Sequence, residues 1–196
     1  MIATIALMAG LWLPKLAKAE ARVSRINCVS NLKQIGLAAR MFSNDHQDEF
    51  PWRVTAAEGG ALESVSTGDP TLQYLTMTNE LTSAKVLACP NETNVTRATN
   101  FAYLSRTNIS YFLCLESDES QPQTLLSGDR NITGGAYSNR LYYLSKQSGQ
   151  AGWGTNIHGL LGNVGLSDGS AQQVLASGLS SQLQMMTNEA VRLLVP

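Results

Sequence analysis

The sequence predicts an α+β fold: a long N-terminal α-helix packed on an antiparallel β-sheet, with a short helix near the C-terminus. Three observations predict it. Cys28, Leu32, Ile35, Ala39 and Phe42 recur at steps of four and three, which makes one apolar stripe of a helix. From residue 109 onward the apolar spacing shortens toward two, the period of a strand. Asp168-Gly169 separates two such segments, 163–167 and 171–175, in the manner of a hairpin turn. A helix followed by strands is the order of an α+β domain, not of alternating βαβ units.

The elements follow in order. An apolar run from Met1 to Leu13 carries no charged side chain and passes through Pro14 into an Ala-rich stretch with Lys15, Lys18, Glu20, Arg22 and Arg25. Lys33 and Arg40 lie off the apolar stripe, so the helix has a polar flank. It stops near Asn44-Asp45, and Phe50-Pro51 marks the break. Residues 53–68 are rich in Gly, Ala, Ser and Thr and read as loop. Asp69-Pro70 reads as an N-cap followed by a proline at the first helical position, which starts a short helix over 71–81. Residues 109–115 (Ile-Ser-Tyr-Phe-Leu-Cys-Leu) form a strand, with 123–127 a second candidate and 137–145 a weaker one. Residues 180–194 read as a final helix with Leu183, Met186 and Ala190 inward. No repeat or linker divides the chain, so residues 1–24 form a stem and residues 25–196 one globular domain.

Composition excludes several functions. A net charge of -1, with no basic stripe beyond residues 15–40, leaves no footprint for nucleic acid. Charged residues are only 15% of the chain, and uncharged polar residues fill the surface instead, as is common in exported proteins. The three cysteines lack Cys-x-x-Cys spacing, so no metal site is expected. Neither Gly-x-Ser-x-Gly nor His-Glu-x-x-His occurs, so no catalytic residue and no cofactor is assigned.

A helix needs about 20 apolar residues to cross a bilayer, more than residues 1–13 supply. The run reads as the later part of a membrane-seated stem, as a cleavable signal ending in Ala17-Lys18-Ala19, or as a core helix. The stem reading leads. Against it, the positive-inside rule would keep the basic residues of 15–25 in the cytoplasm, whereas the stem places them outside.

Several short segments carry a resemblance. Leu13-Pro14-Lys15-Leu16-Ala17-Lys18-Ala19 and Cys28-Val29-Ser30-Asn31-Leu32-Lys33-Gln34-Ile35-Gly36 lead the chain. Lys85-Val86-Leu87-Ala88-Cys89-Pro90, Asn108-Ile109-Ser110-Tyr111-Phe112 and Gly128-Asp129-Arg130-Asn131 follow, and His158 is separated by nine residues from Asp168-Gly169. Their order and spacing resemble bacterial type IV pilin-like and pseudopilin-like proteins with a prepilin-type amino terminus and a C-terminal His-x9-Asp-Gly domain. The residues carried over as the family motif are His158, Asp168 and Gly169. The resemblance implies a structural subunit of a type IV pilus-like fibre or type II secretion-type pseudopilus, with no enzymatic activity. Its partners would be other pilin-like subunits, met through the N-terminal helix. It also implies a transmembrane anchor in the bacterial inner membrane, with the domain in the periplasm or on a cell-surface fibre. The family's basic leader, Gly-Phe-Thr cleavage site and early glutamate do not occur in this sequence. Roughly a dozen or more residues of the expected stem would then be absent, which implies either a start misplaced downstream of the true one or a shortened form.

Two further readings compete. An exported binding module would present Trp52, Trp153 and Tyr137 as an aromatic surface for a sugar, peptide or cell-wall polymer. A hydrolase or metal enzyme would use His158 with Asp168, or His46 with Asp45 and Asp48. The simpler reading gives Asp168-Gly169 a turn and His158 a loop hydrogen bond. The run 44–49 lacks the spacing and glycine of a calcium loop. The Asn-x-Ser/Thr sequons at Asn91, Asn94, Asn108 and Asn131 read as chance in an Asn- and Thr-rich chain. Two arrangements stay open for Cys28 and Cys89. They are either two buried free thiols, or a disulfide that ties the helix to the following loop and leaves Cys114 alone in a strand.

Overall fold

A computed structural model of the chain describes the backbone of residues 2–196 and the side chains of 22–147 and 149–196. Helix α1 spans Ile2–Asp45 and stops where the sequence places the stop. The stripe residues Cys28, Leu32, Ile35, Ala39 and Phe42 are all buried, and Lys33 is exposed. The sheet is antiparallel throughout and has seven strands: β1 (Tyr111–Cys114), β2 (Leu125–Asp129), β4 (Ala136–Ser138), β5 (Leu141–Ser145), β7 (Leu161–Leu166), β8 (Ala171–Leu175) and β9 (Ala190–Leu194). Their spatial order is β4-β5-β9-β1-β2-β7-β8. A separate two-stranded ribbon joins β3 (Ile132–Thr133) to β6 (Gly152–Trp153). The short helices are α2 (Thr71–Thr76) and α3 (Ala176–Gln184).

Helix α1 lies across β2, β7 and β8. The sheet is covered on both faces, which explains why residues 111–115 are apolar without interruption. Tyr111, Leu113 and Leu115 pack on the α1 side with Leu32, Ile35 and Phe42. Phe112 and Cys114 point the other way, into a second core with Leu179, Leu183 and Met186. A central strand buried on both faces loses the polar half of the alternation. Burial also raises the Cys114 thiol well above its ordinary value, so it stays a protonated, inert core group.

The membrane assignment needs correction. No helix among the described residues is long and apolar enough to cross a membrane. The uncharged run ends at Leu13, and Lys15, Lys18, Glu20 and Arg22 follow within the next turns, short of the ~20 apolar residues a span requires. That removes the basis for a transmembrane helix and an inner-membrane seat, and for the periplasmic or cell-surface placement derived from them.

The C-terminal segment also differs from its expected form. The helix expected over 180–194 is α3 (Ala176–Gln184) followed by β9. Leu183 and Met186 are buried as the helical pattern requires, but Ala190 is exposed. Val191 and Leu193 alternate with Arg192 at period two, and β9 fills the gap between β1 and β5. Sheet pairing overrode local helix propensity there. The weak strand at 137–145 is a hairpin: Asn139 and Arg140 both take positive φ (47° and 68°) between β4 and β5, the signature of a type I′ turn. Residues 53–68 contain two 3₁₀ turns, Ala56–Glu58 and Leu62–Thr67. Helix α2 ends at Thr76, short of Leu81; Pro70 takes the N-cap position, and Asp69 Oδ1 just ahead of it accepts from the Thr71 N–H at 2.9 Å.

Gly162 shows how closely the ribbon rests on the sheet. A Cβ there would lie 2.2 Å from the Trp153 ring. Gly162→Ala is expected to lower the unfolding free energy by about 1–3 kcal/mol, the usual cost of forcing a methyl into a packed contact. A urea denaturation midpoint equal to that of the parent chain would contradict this packing.

Candidate functional site

The site grows from the buried stripe of α1. Cys28 faces the segment before Pro90, and the structure joins Cys28 to Cys89 in a disulfide with the Cα atoms 5.4 Å apart. The segment that carries Cys89 is pinned to the start of β1. Ser110 donates its N–H to the Leu87 carbonyl at 2.8 Å, and the Cys89 N–H donates to Ser110 Oγ at 2.9 Å. One turn beyond Cys28, Asn31 donates from Nδ2 to the Ala88 carbonyl and to the Tyr111 hydroxyl, each at 3.2 Å. Helix, loop and strand therefore meet at one point.

His158 enters the same point from the chain between β6 and β7. Its side chain has no solvent exposure, and its Nε2 stands 3.4 Å from Cys89 Sγ and 3.7 Å from Asp129 Oδ2. Asn91 Nδ2 donates to the Ile157 carbonyl and fixes the residue before His158. Asp129 ends β2 and is also fully buried. Its Oδ2 accepts two hydrogen bonds from Asn163 on β7, from the backbone N–H at 2.8 Å and from Nδ2 at 2.9 Å. Next to it, Arg130 pairs with Glu92 at 2.6 Å and clamps the Cys89-Pro90 segment onto the end of β2. His158 Nδ1, Asp129 Oδ1 and Asn163 Oδ1 are buried without a protein partner.

Electrostatics follow from that burial. Burial, reinforced by the Arg25 charge, pulls His158 down to about 4, so the imidazole is neutral at pH 7. Burial pushes Asp129 up to about 7 against the lowering effect of the Asn163 hydrogen bonds, with Glu92 adding to the rise. The pair is thus a neutral imidazole beside a carboxyl that titrates near neutrality. Tyr111 rises well above its ordinary value, mainly by burial and next by the Asp129 charge.

The Asp168-Gly169 end of the motif is a separate place. Asp168 sits in the β7–β8 turn, where its Oδ1 accepts from the Ser170 N–H at 2.8 Å and Gly169 takes φ +82°. The turn lies directly on α1: a Cβ at Gly36 would stand 3.0 Å from Gly169 Cα, and Arg40 donates to the Asp168 carbonyl at 2.9 Å. His158 and Asp168 are therefore not an acid/base pair. One fastens the disulfide region and the other fastens the hairpin to the helix. His46 forms no three-residue ligating cluster with Asp45 and Asp48 among the described residues: its ring stacks on Phe42 at 3.9 Å, and Nδ1 contacts the Phe42 carbonyl at 2.7 Å. The aromatic surface considered for a binding module is not assembled, because Trp52 and Trp153 are 2% and 4% exposed while Tyr137 stands apart at 60%.

Asp129 and Asn163 escaped the sequence reading of the site. Asp129 lay inside a quoted segment without a role, and the available signal was a lone carboxylate closing an apolar strand, Leu125–Asp129. The segments around Cys28, Cys89, Tyr111, Asp129 and His158, scattered over 130 positions of sequence, converge on one buried cluster.

Fold and site together define an α+β protein with a long helix seated on an antiparallel sheet and a disulfide–histidine–aspartate cluster at the seam between them. Comparison with known proteins yields no matching family model, no matching curated protein and no matching solved structure.

Proposed function

We propose that the chain is a structural subunit of a pilin-like fibre, assembling with other copies through the outward face of α1. The supporting observation is a set of four exposed apolar side chains on that helix, with Ser30 among them on the same face. Val23, Ile26, Leu37 and Met41 are 56%, 60%, 58% and 45% exposed. At 100° per residue they fall within an arc of about 60°, opposite the buried stripe of Cys28, Leu32, Ile35, Ala39 and Phe42. A helix with apolar residues on two opposite faces has one face more than the monomer covers, and helix packing against another copy is the direct way to bury it. In this reading the chain performs no chemistry, and the buried cluster keeps the domain rigid on its helix.

Ile26→Asp/Leu37→Asp tests the proposal. The parent chain is expected to sediment as dimers and larger species, with fibres visible by electron microscopy. The double variant is expected to remain monomeric with an unchanged melting temperature, because both positions are exposed in the monomer. A parent chain that is monomeric at every accessible concentration, or a variant that assembles undiminished, overturns it.

A further inference from the structure

Cys28, Cys89 and His158 are buried, and their ligating atoms all lie within 4.8 Å of one another. The 3.4 Å between His158 Nε2 and Cys89 Sγ is close to the ~3.5 Å edge of a tetrahedron with zinc–sulfur and zinc–nitrogen bonds of normal length. Asp129 Oδ2 stands 3.7 Å from the same nitrogen, near the corresponding edge to oxygen and too far for a hydrogen bond. The Asp129 side chain is fully buried and keeps Oδ1 without a protein partner, an arrangement that interiors rarely tolerate. Asn163 holds Oδ2 with two hydrogen bonds, as outer-shell donors do for a ligating carboxylate.

We propose that reduction of the Cys28–Cys89 disulfide converts this cluster into a binding site for one zinc-class divalent ion. Cys28 Sγ, Cys89 Sγ and His158 Nε2 are its ligands, and the Asp129 carboxylate closes the fourth position. A dithiol or phosphine reductant supplies the two electrons that break the S–S bond, and two protons complete the thiols. Metal binding then releases those two protons as each thiol becomes a metal-bound thiolate. The sulfurs must separate from bonding distance to a tetrahedral edge, a change that side-chain rotation on α1 and the Cys89 loop can supply. Two thiolates and a carboxylate leave one negative charge on the occupied site, which the nearby Arg25 charge, already felt at His158, offsets. Borderline-soft zinc suits mixed sulfur, nitrogen and oxygen donors, whereas calcium and magnesium require oxygen alone.

The test uses the full chain, refolded anaerobically with a phosphine reductant and titrated with Co²⁺, then with Zn²⁺. The reduced chain is expected to take one equivalent of Co²⁺, with thiolate-to-cobalt charge transfer and the intense visible bands of a tetrahedral site, and to surrender it to Zn²⁺. The oxidised chain is expected to give neither signal. His158→Gln should lose the tetrahedral spectrum, and Asp129→Asn should bind about tenfold more weakly or worse. Both variants are first shown to fold in the oxidised form, where the disulfide still closes the loop. The proposal is overturned if the reduced chain folds without taking cobalt, if it stays unfolded with and without metal, or if His158→Gln gives the parent spectrum.

Discussion

The double variant Cys28→Ala/Cys89→Ala is expected to unfold about 4 kcal/mol more easily than the oxidised parent. The bridge closes 61 residues of chain, and in the chain-entropy model a loop of that length confers about that much by restricting the unfolded ensemble. The contacts around the bridge cannot make up the loss. Asn31 and Ser110 still hold the Cys89 loop by hydrogen bonds, but each such bond contributes only about 1 kcal/mol net. The loop also carries Trp52, Tyr74, Met77 and Leu87 into the α1 side of the core, so a loosened loop exposes apolar area as well. Urea denaturation in the presence of a metal chelator measures the effect. A difference below about 1 kcal/mol would show that the loop is held by packing alone.

His158→Gln and Asp129→Asn are expected to tilt the dependence of stability on pH in opposite directions. The folded His158 titrates at about 4, below its ordinary value of 6.5. Folding therefore favours the neutral imidazole, and this contribution is complete above pH 6.5 and is lost as pH falls toward 4. The folded Asp129 titrates at about 7, above its ordinary 3.8. Folding therefore favours the protonated carboxyl, and this contribution is complete below pH 3.8 and is lost as pH rises through 7. Between pH 4 and pH 6.5 the two slopes oppose each other, so the parent profile is nearly flat from these groups. His158→Gln leaves Asp129 alone, and stability should fall by about 3 kcal/mol from pH 4 to pH 7. Asp129→Asn leaves His158 alone, and stability should rise by about 3 kcal/mol from pH 4 to pH 6.5. Denaturation midpoints of the oxidised proteins across this range decide the matter. Parent-like slopes in both variants would mean that water reaches the cluster.

Local pattern carried much of the fold. The α1 stripe, its stop at Asp45, the apolar strand at 111–114 and the β7–β8 hairpin around Asp168-Gly169 are all short-range signals. Helical and strand periods are written in neighbouring residues, and turns in two or three of them. The failures have separate causes. Residues 190–194 became a strand because an open place beside β1 accepted them. The Asn139-Arg140 turn lacked the usual glycine at its second position, and its pairing partners revealed it. The membrane seat failed because an apolar run suggests a span only when it reaches a bilayer's thickness.

The site divides along the same line. The chain by itself identified Cys28 and Cys89 as candidates for one bridge, and Asp168-Gly169 as a turn, because stripe position, a following proline and turn chemistry are local. The His-x9-Asp-Gly resemblance offered His158 and Asp168 as a candidate pair, beside the simpler reading of a turn at Asp168-Gly169 and a loop hydrogen bond at His158. Only the tertiary structure separated them, placing Gly169 against Gly36 with Asp168 held by Arg40, and His158 against Cys89 and Asp129. Packing determines distance between residues far apart in the chain, and distance with burial determines protonation and ligation. Periodicity within the chain specifies which face a residue takes, and the fold alone specifies what stands opposite that face.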